Sequence, residues 1–96
     1  MNILVIGAGA YGLALSTILS DKNEVTIYSS LEQEIDNLKN TYKNEKLFPN
    51  IELSKKLKFI NKIEKQYDLI VLALPTNIIE QELEKIKDKI KNTPII

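Results

Sequence analysis

All three glycines of the chain, Gly7, Gly9 and Gly12, fall within six residues, directly behind the apolar run Ile3, Leu4, Val5 and Ile6. A short, continuously apolar run ended by glycine is the pattern of a strand covered on both faces, as in a parallel sheet. The spacing G-x-G-x-x-G then marks a tight turn out of that strand. It constrains the fold more than any other stretch does.

Beyond the turn, the pattern alternates between helix and strand. From Ala10, the apolar positions Leu15, Ile18 and Leu19 recur at helical spacing, and Asp21, Lys22 and Asn23 supply a polar stop. Val25, Thr26, Ile27 and Tyr28 read as a second strand. Ser29 and Ser30 each stand three residues before Glu32 and Gln33, so either closes a capping box on a helix with Leu31, Ile35 and Leu38 as its stripe.

Residues 40–56 lack a clear period, and Pro49 disfavours helix at Phe48, so this stretch reads as an ordered loop. Phe48 and Pro49 are read as loop packing rather than a ligand contact. Residues 57–60 suit a short strand, and the apolar run 69–74, ended by Pro75, a central one. Asn77 with Glu80 offers a further capping box, ahead of a helix whose seam is Ile79, Leu83, Ile86 and Ile90. Residues 93–96 begin another strand and stop two apolar residues into it, so the chain is expected to be part of a longer protein. The class is α/β, a doubly wound parallel sheet with helices on both faces.

Composition narrows the chemistry. Lys balances Asp plus Glu at 13 each, which leaves no global field to hold a polyanion, so nucleic acid is not expected as a partner. The absence of Cys and His excludes a thiolate nucleophile, an imidazole base and a zinc cluster, and no metal site is expected. No apolar stretch approaches the roughly 20 residues that span a bilayer, and no basic leader precedes the first strand; the chain reads as cytoplasmic, without membrane insertion. Arg is also absent, so an anion site must use backbone N–H groups, hydroxyls or Lys.

The glycines meet that requirement. Ligands of such sheets sit at the carboxyl ends of the strands, where Gly7, Gly9 and Gly12 lie. Gly7 allows the turn, Gly9 lets a pyrophosphate approach without meeting a Cβ, and Gly12 packs the helix on the strand. The helix amino terminus then offers free N–H groups and a favourable dipole to the phosphates, and needs no arginine. A purely structural turn is the alternative. The strand before it, the helix after it and the second strand favour a dinucleotide, NAD or NADP.

An acidic residue at the end of the second strand would hold the ribose 2′-hydroxyl of NAD, yet Tyr28, Ser29 and Ser30 stand there. Ser29 and Ser30 serve either cofactor, only cap the helix, or do both. Pro75 and Thr76, at the end of the central strand, border the same crevice and either meet the nicotinamide half or simply end the strand.

Three segments together resemble the amino-terminal domain of bacterial NAD(P)-dependent glycerol-3-phosphate dehydrogenases. They are Gly-Ala-Gly-Ala-Tyr-Gly-Leu-Ala-Leu at 7–15, Leu-Phe-Pro-Asn-Ile-Glu-Leu at 47–53 and Asp-Leu-Ile-Val-Leu-Ala-Leu-Pro-Thr at 68–76. The first is shared with many dehydrogenases, ketopantoate reductases among them; the loop and the Ala-Leu-Pro-Thr ending separate this family from those. The resemblance implies a Rossmann-type cofactor domain over residues 1–96 of an enzyme that reduces dihydroxyacetone phosphate to glycerol 3-phosphate for phospholipid synthesis, in the cytoplasm and as a homodimer. It implies cofactor contacts at Ala10, Tyr11 and Ser30. Ala10 departs from the Ser common in the family, which leaves a backbone contact, and Ser30 replaces a basic residue or His. The family's catalytic Lys and substrate-phosphate groups belong to a helical carboxyl-terminal domain, so none is expected before Ile96. A competing reading is a non-catalytic nucleotide-sensing module, against which the missing acid after the second strand counts.

Overall fold

The computed structural model describes residues 1–42 and 53–96. Four strands, β1 (Asn2–Ile6), β2 (Glu24–Tyr28), β3 (Lys58–Ile60) and β4 (Leu69–Leu72), form one sheet in the order β3-β2-β1-β4. Every pairing is parallel, with Ile6 opposite both Tyr28 and Leu72, and Tyr28 opposite Ile60. The strands' carboxyl ends therefore share one edge. Beyond β4, Ile95 bridges Ile70 in parallel, and the Ile70 and Leu72 N–H groups donate to the Pro94 and Ile96 carbonyls at 2.9 and 3.0 Å.

Alternation along the strands explains why β1 is apolar at consecutive positions. Ile3 and Val5 join Val25, Ile27 and Phe59 on one face, under α1 (Ala10–Leu19) and α2 (Glu32–Thr41), whose Leu13, Ile35 and Leu38 cover them. Leu4 and Ile6 join Tyr28 and Ile70 on the other face, with Ile86 of α3 (Ile79–Ile86) and Ile90 beyond it. With both faces covered, no residue of 3–6 exceeds 2% exposure. This is the doubly wound sheet the sequence predicts.

The helix faces depart from the predicted stripes. On α1 the buried residues are Gly12, Leu13 and Ser16, and of the predicted stripe Leu19 packs against the core while Ile18 stands 72% exposed. The close approach of the helix to the sheet selects small side chains on its inner face, which a hydrophobic periodicity does not register. Ser16 satisfies its buried hydroxyl by donating to the Gly12 carbonyl at 2.6 Å. On α2, Ile35 and Leu38 are inside as expected, but Leu31 is 63% exposed, because it precedes the helix as its N-cap residue.

None of the predicted capping boxes forms. Ser29 Oγ accepts the Leu31 N–H at 3.2 Å, a turn two residues long, and Ser30 turns away from α2 altogether. At α3 a 3-10 turn over Thr76–Ile78 runs straight into the helix, and no side chain caps either, so Asn77 does not pair with Glu80 as a box. Of the predicted α3 seam, Ile86 and Ile90 are buried, and Ile90 lies past the helix, just after a second 3-10 turn. β4 ends at Leu72, two residues before the apolar run does. The loop around Phe48 and Pro49 lies outside the described residues.

Candidate functional site

At the carboxyl edge of the sheet, the chain turns sharply after β1. Gly7 has φ +124°, a region that L side chains rarely adopt, and a Cβ there would collide with the carbonyl of Ala73. Its N–H donates to the Tyr28 carbonyl at 2.9 Å, and the Ala73 N–H donates to that of Ile6 at 2.9 Å, so the three central strand ends are tied together. Gly12, buried in the first turn of α1, leaves no room for a Cβ either: it would meet the Gly7 carbonyl and stand 3.3 Å from the Ala73 Cβ.

Gly9 differs from both. Its φ of −79° and ψ of −173° are ordinary extended backbone, and a Cβ built on it meets nothing within 4 Å. Gly9 itself lines a cleft of about 190 Å³ at the carboxyl ends of β1, β2 and β4. Gly7, Ala8 and Gly9 form one side; Ser29, Ser30 and Leu31 after β2, with Glu34 of α2, form another. Ala73, Leu74 and Pro75 after β4, with Ile78 and Glu82, close the third.

Gly9 also caps α1 without a side chain. The first intrahelical bond runs from the Leu13 N–H to the Gly9 carbonyl at 3.0 Å, no side chain caps the helix, and its first turn holds no acid. The N–H groups of the first turn, from Ala10 to Gly12, thus end the helix dipole at an uncapped terminus beside the cleft. Of the residues predicted from sequence, Gly7, Gly9, Ser29, Ser30 and Pro75 line the cleft. Ala10 and Tyr11 are exposed on the helix terminus, Gly12 is behind it, and Thr76 is exposed outside the lining.

Sequence reading missed Glu34, Ile78 and Glu82. Ser30 Oγ donates to Glu82 Oε1 at 3.2 Å, across 52 residues of chain. Glu82 Oε2 lies 3.1 Å from Lys85 Nζ one turn on, an ion pair whose angles do not make a hydrogen bond. Only the position of Glu82 one turn after Ile78, beside the apolar seam of α3, hints at it in the sequence. Next to this pair, burial pushes the Tyr28 hydroxyl above the usual tyrosine range; the Glu82 carboxylate raises it further and Lys85 partly opposes. Among the described residues there is no group of three acids that would hold a metal, and no helix is long and apolar enough to cross a membrane.

Comparison with known proteins agrees with this geometry. A family described as NAD-dependent glycerol-3-phosphate dehydrogenase N-terminus matches residues 2–96. The glycerol-3-phosphate dehydrogenase [NAD(P)+] of Clostridium botulinum strain Eklund 17B is 34% identical over 99 residues, covering 99% of this chain and 30% of that protein. Its counterpart from Leptospira biflexa serovar Patoc is 35% identical over 101 residues, covering 100% and 30%. The chain thus spans about 30% of the length of the curated relatives it matches. Among solved structures, glycerol-3-phosphate dehydrogenase from Coxiella burnetii superposes with a TM-score of 0.86 at 24% identity, over 98% of this chain and 30% of that one, a likeness of fold. D-mandelate dehydrogenase, solved as a ternary complex with NADH and anilino(oxo)acetate, superposes with a TM-score of 0.73 at 28% identity, over 99% and 32%. A parallel sheet of this order, the glycine turn and a match across nearly every residue lead to one conclusion: the chain belongs to the family of NAD-dependent glycerol-3-phosphate dehydrogenase amino-terminal domains.

Proposed function

We propose that this chain is the cofactor-binding domain of a glycerol-3-phosphate dehydrogenase, which interconverts dihydroxyacetone phosphate and sn-glycerol 3-phosphate with NAD(P)H. The observation that carries the reading is Gly9. Its backbone conformation requires no glycine and the space a Cβ would take is open, yet a glycine stands there, lining the cleft at the foot of an uncapped helix.

The residues fit a dinucleotide. The Gly9 position lets a pyrophosphate come against the backbone, and the N–H groups of Ala10, Tyr11 and Gly12 present donors and a positive dipole end to it. Tyr11 stands exposed in the first turn of α1. Ser29 and Ser30 are assigned to the adenosine side and Pro75 to the nicotinamide side, with Thr76 next to it but outside the cleft lining. Bound there, a nicotinamide dinucleotide supplies or accepts the hydride. The chain's own contribution is to hold and orient it. No Lys within residues 1–96 is assigned to catalysis; the catalytic and substrate-phosphate groups belong to a helical domain elsewhere in the protein. The intact enzyme is read as a cytoplasmic homodimer serving glycerophospholipid synthesis.

The test is turnover. The intact protein oxidises NADH or NADPH on addition of dihydroxyacetone phosphate, followed by the loss of reduced-cofactor absorbance. Failure to turn over with either cofactor would remove the enzyme reading. Cofactor binding without turnover would favour the nucleotide-sensing module instead.

A further inference from the structure

We propose that Glu82 selects the cofactor: from α3 it supplies, across the cleft, the carboxylate that this fold ordinarily carries at the end of β2, so that the site takes NAD(H) over NADP(H). The proposal rests on the dinucleotide reading above and names which dinucleotide.

In this architecture an acid some ~20 residues past the glycine turn accepts the ribose 2′-hydroxyl, and an Arg nearby accommodates a 2′-phosphate. Here the end of β2 is followed by Ser29 and Ser30, and Arg is absent from the chain. The fold fills the gap from the opposite wall. Glu82 Oε1 lies 3.2 Å from Ser30 Oγ, so a carboxylate stands beside the position from which the missing acid would act. Ser30 donates its own proton in that bond and thereby acts as a positioning residue for Glu82.

The charges around the cleft point the same way. Its ionisable acids are Glu34 and Glu82, and among the described residues no Lys lines it. Lys85 approaches Glu82 at Oε2, and lines a separate hollow with Lys62 and Lys89 beyond Tyr28. Lys85 therefore holds one oxygen from outside and leaves the other on the Ser30 side. A ribose hydroxyl donates to such an oxygen. A 2′-phosphate, acceptor-only when ionised and carrying one to two negative charges, meets the carboxylates of Glu34 and Glu82, while Lys85, the cation beside Glu82, is paired at Oε2 and does not line the cleft.

Equilibrium binding tests this on the intact protein, by fluorescence titration with NADH and with NADPH at fixed ionic strength. The wild type binds NADH about tenfold or more tightly than NADPH. Glu82→Gln, which keeps the shape and removes the charge, narrows the gap chiefly by tightening NADPH, and Lys85→Met leaves the NADH preference in place. Equal affinities or an NADPH preference in the wild type would overturn the proposal. So would a Glu82→Gln variant that shifts both cofactors by the same factor, or a Lys85→Met variant that loses NADPH alone and so marks Lys85 as the phosphate ligand. If neither cofactor binds the wild type, the dinucleotide reading falls and this proposal with it; if both bind and the ratio ignores Glu82, this proposal alone falls.

Discussion

Gly12 in α1 and Ala73 after β4 approach so closely that a Cβ on Gly12 would stand 3.3 Å from that of Ala73 and would strike the Gly7 carbonyl. Helix propensity alone favours Ala over Gly inside a helix by about 1 kcal/mol. Packing opposes it here, because the obstructing atom is backbone and does not swing aside. Gly12→Ala is therefore expected to destabilise the protein by about 1–3 kcal/mol, read as a lower urea midpoint at unchanged slope. A gain in stability would show that α1 has room to retreat.

The two sides of α1 separate packing from mere apolarity. Leu13 is fully buried against the sheet, whereas Ile18, on the face that periodicity selects, is 72% exposed. Leu13→Ala is expected to cost about 2–5 kcal/mol and Ile18→Ala to stay within about 0.5 kcal/mol, compared by denaturation under one set of conditions. Equal losses would place α1 in a different rotation.

Much of the fold was legible because its determinants are local. The continuous apolar run 3–6, the β-branched run at Val25 to Tyr28 and the run ending at Pro75 each identify a strand, and glycine punctuation orders them. Helix faces were less legible. Small residues such as Gly12 and Ser16 mark the closest packing, yet hydropathy gives them no weight. Ser29 and Ser30 show a second limit. Their spacing to Glu32 and Gln33 satisfies the capping pattern, but Ser29 turns onto Leu31 and the Glu82 carboxylate, 52 residues away, takes the Ser30 hydroxyl. A pairing across that distance leaves no trace in local pattern. Likewise Glu34 and Glu82 belong to the cleft only because α2 and α3 flank the same sheet edge from opposite faces.

Tyr28 makes that electrostatic pairing measurable. Its hydroxyl ionises above the usual tyrosine range, chiefly through burial and then through Glu82, with Lys85 opposing. As pH rises past about 10, the unfolded chain loses this proton while the folded one keeps it, so folding stability is full below that pH and falls above it, through the folded-state value. Tyr28→Phe is expected to reduce the alkaline loss, and Glu82→Gln to bring the Tyr28 ionisation down. Tyrosinate absorbance and denaturation midpoints across alkaline pH check both. A Tyr28 ionisation indifferent to Glu82 would contradict the assigned neighbourhood.

The central claim, that the glycine turn cradles a dinucleotide, is tested most directly at Gly9. Its conformation suits any residue, and a Cβ meets nothing within 4 Å, so Gly9→Val in the intact protein should fold with wild-type stability while filling the space against which a pyrophosphate would lie. Titration of NADH or NADPH by fluorescence, on protein shown to be folded by its denaturation midpoint, is expected to show binding by the wild type and its loss in Gly9→Val. Unchanged affinity in the folded variant would contradict a pyrophosphate seat at Gly9.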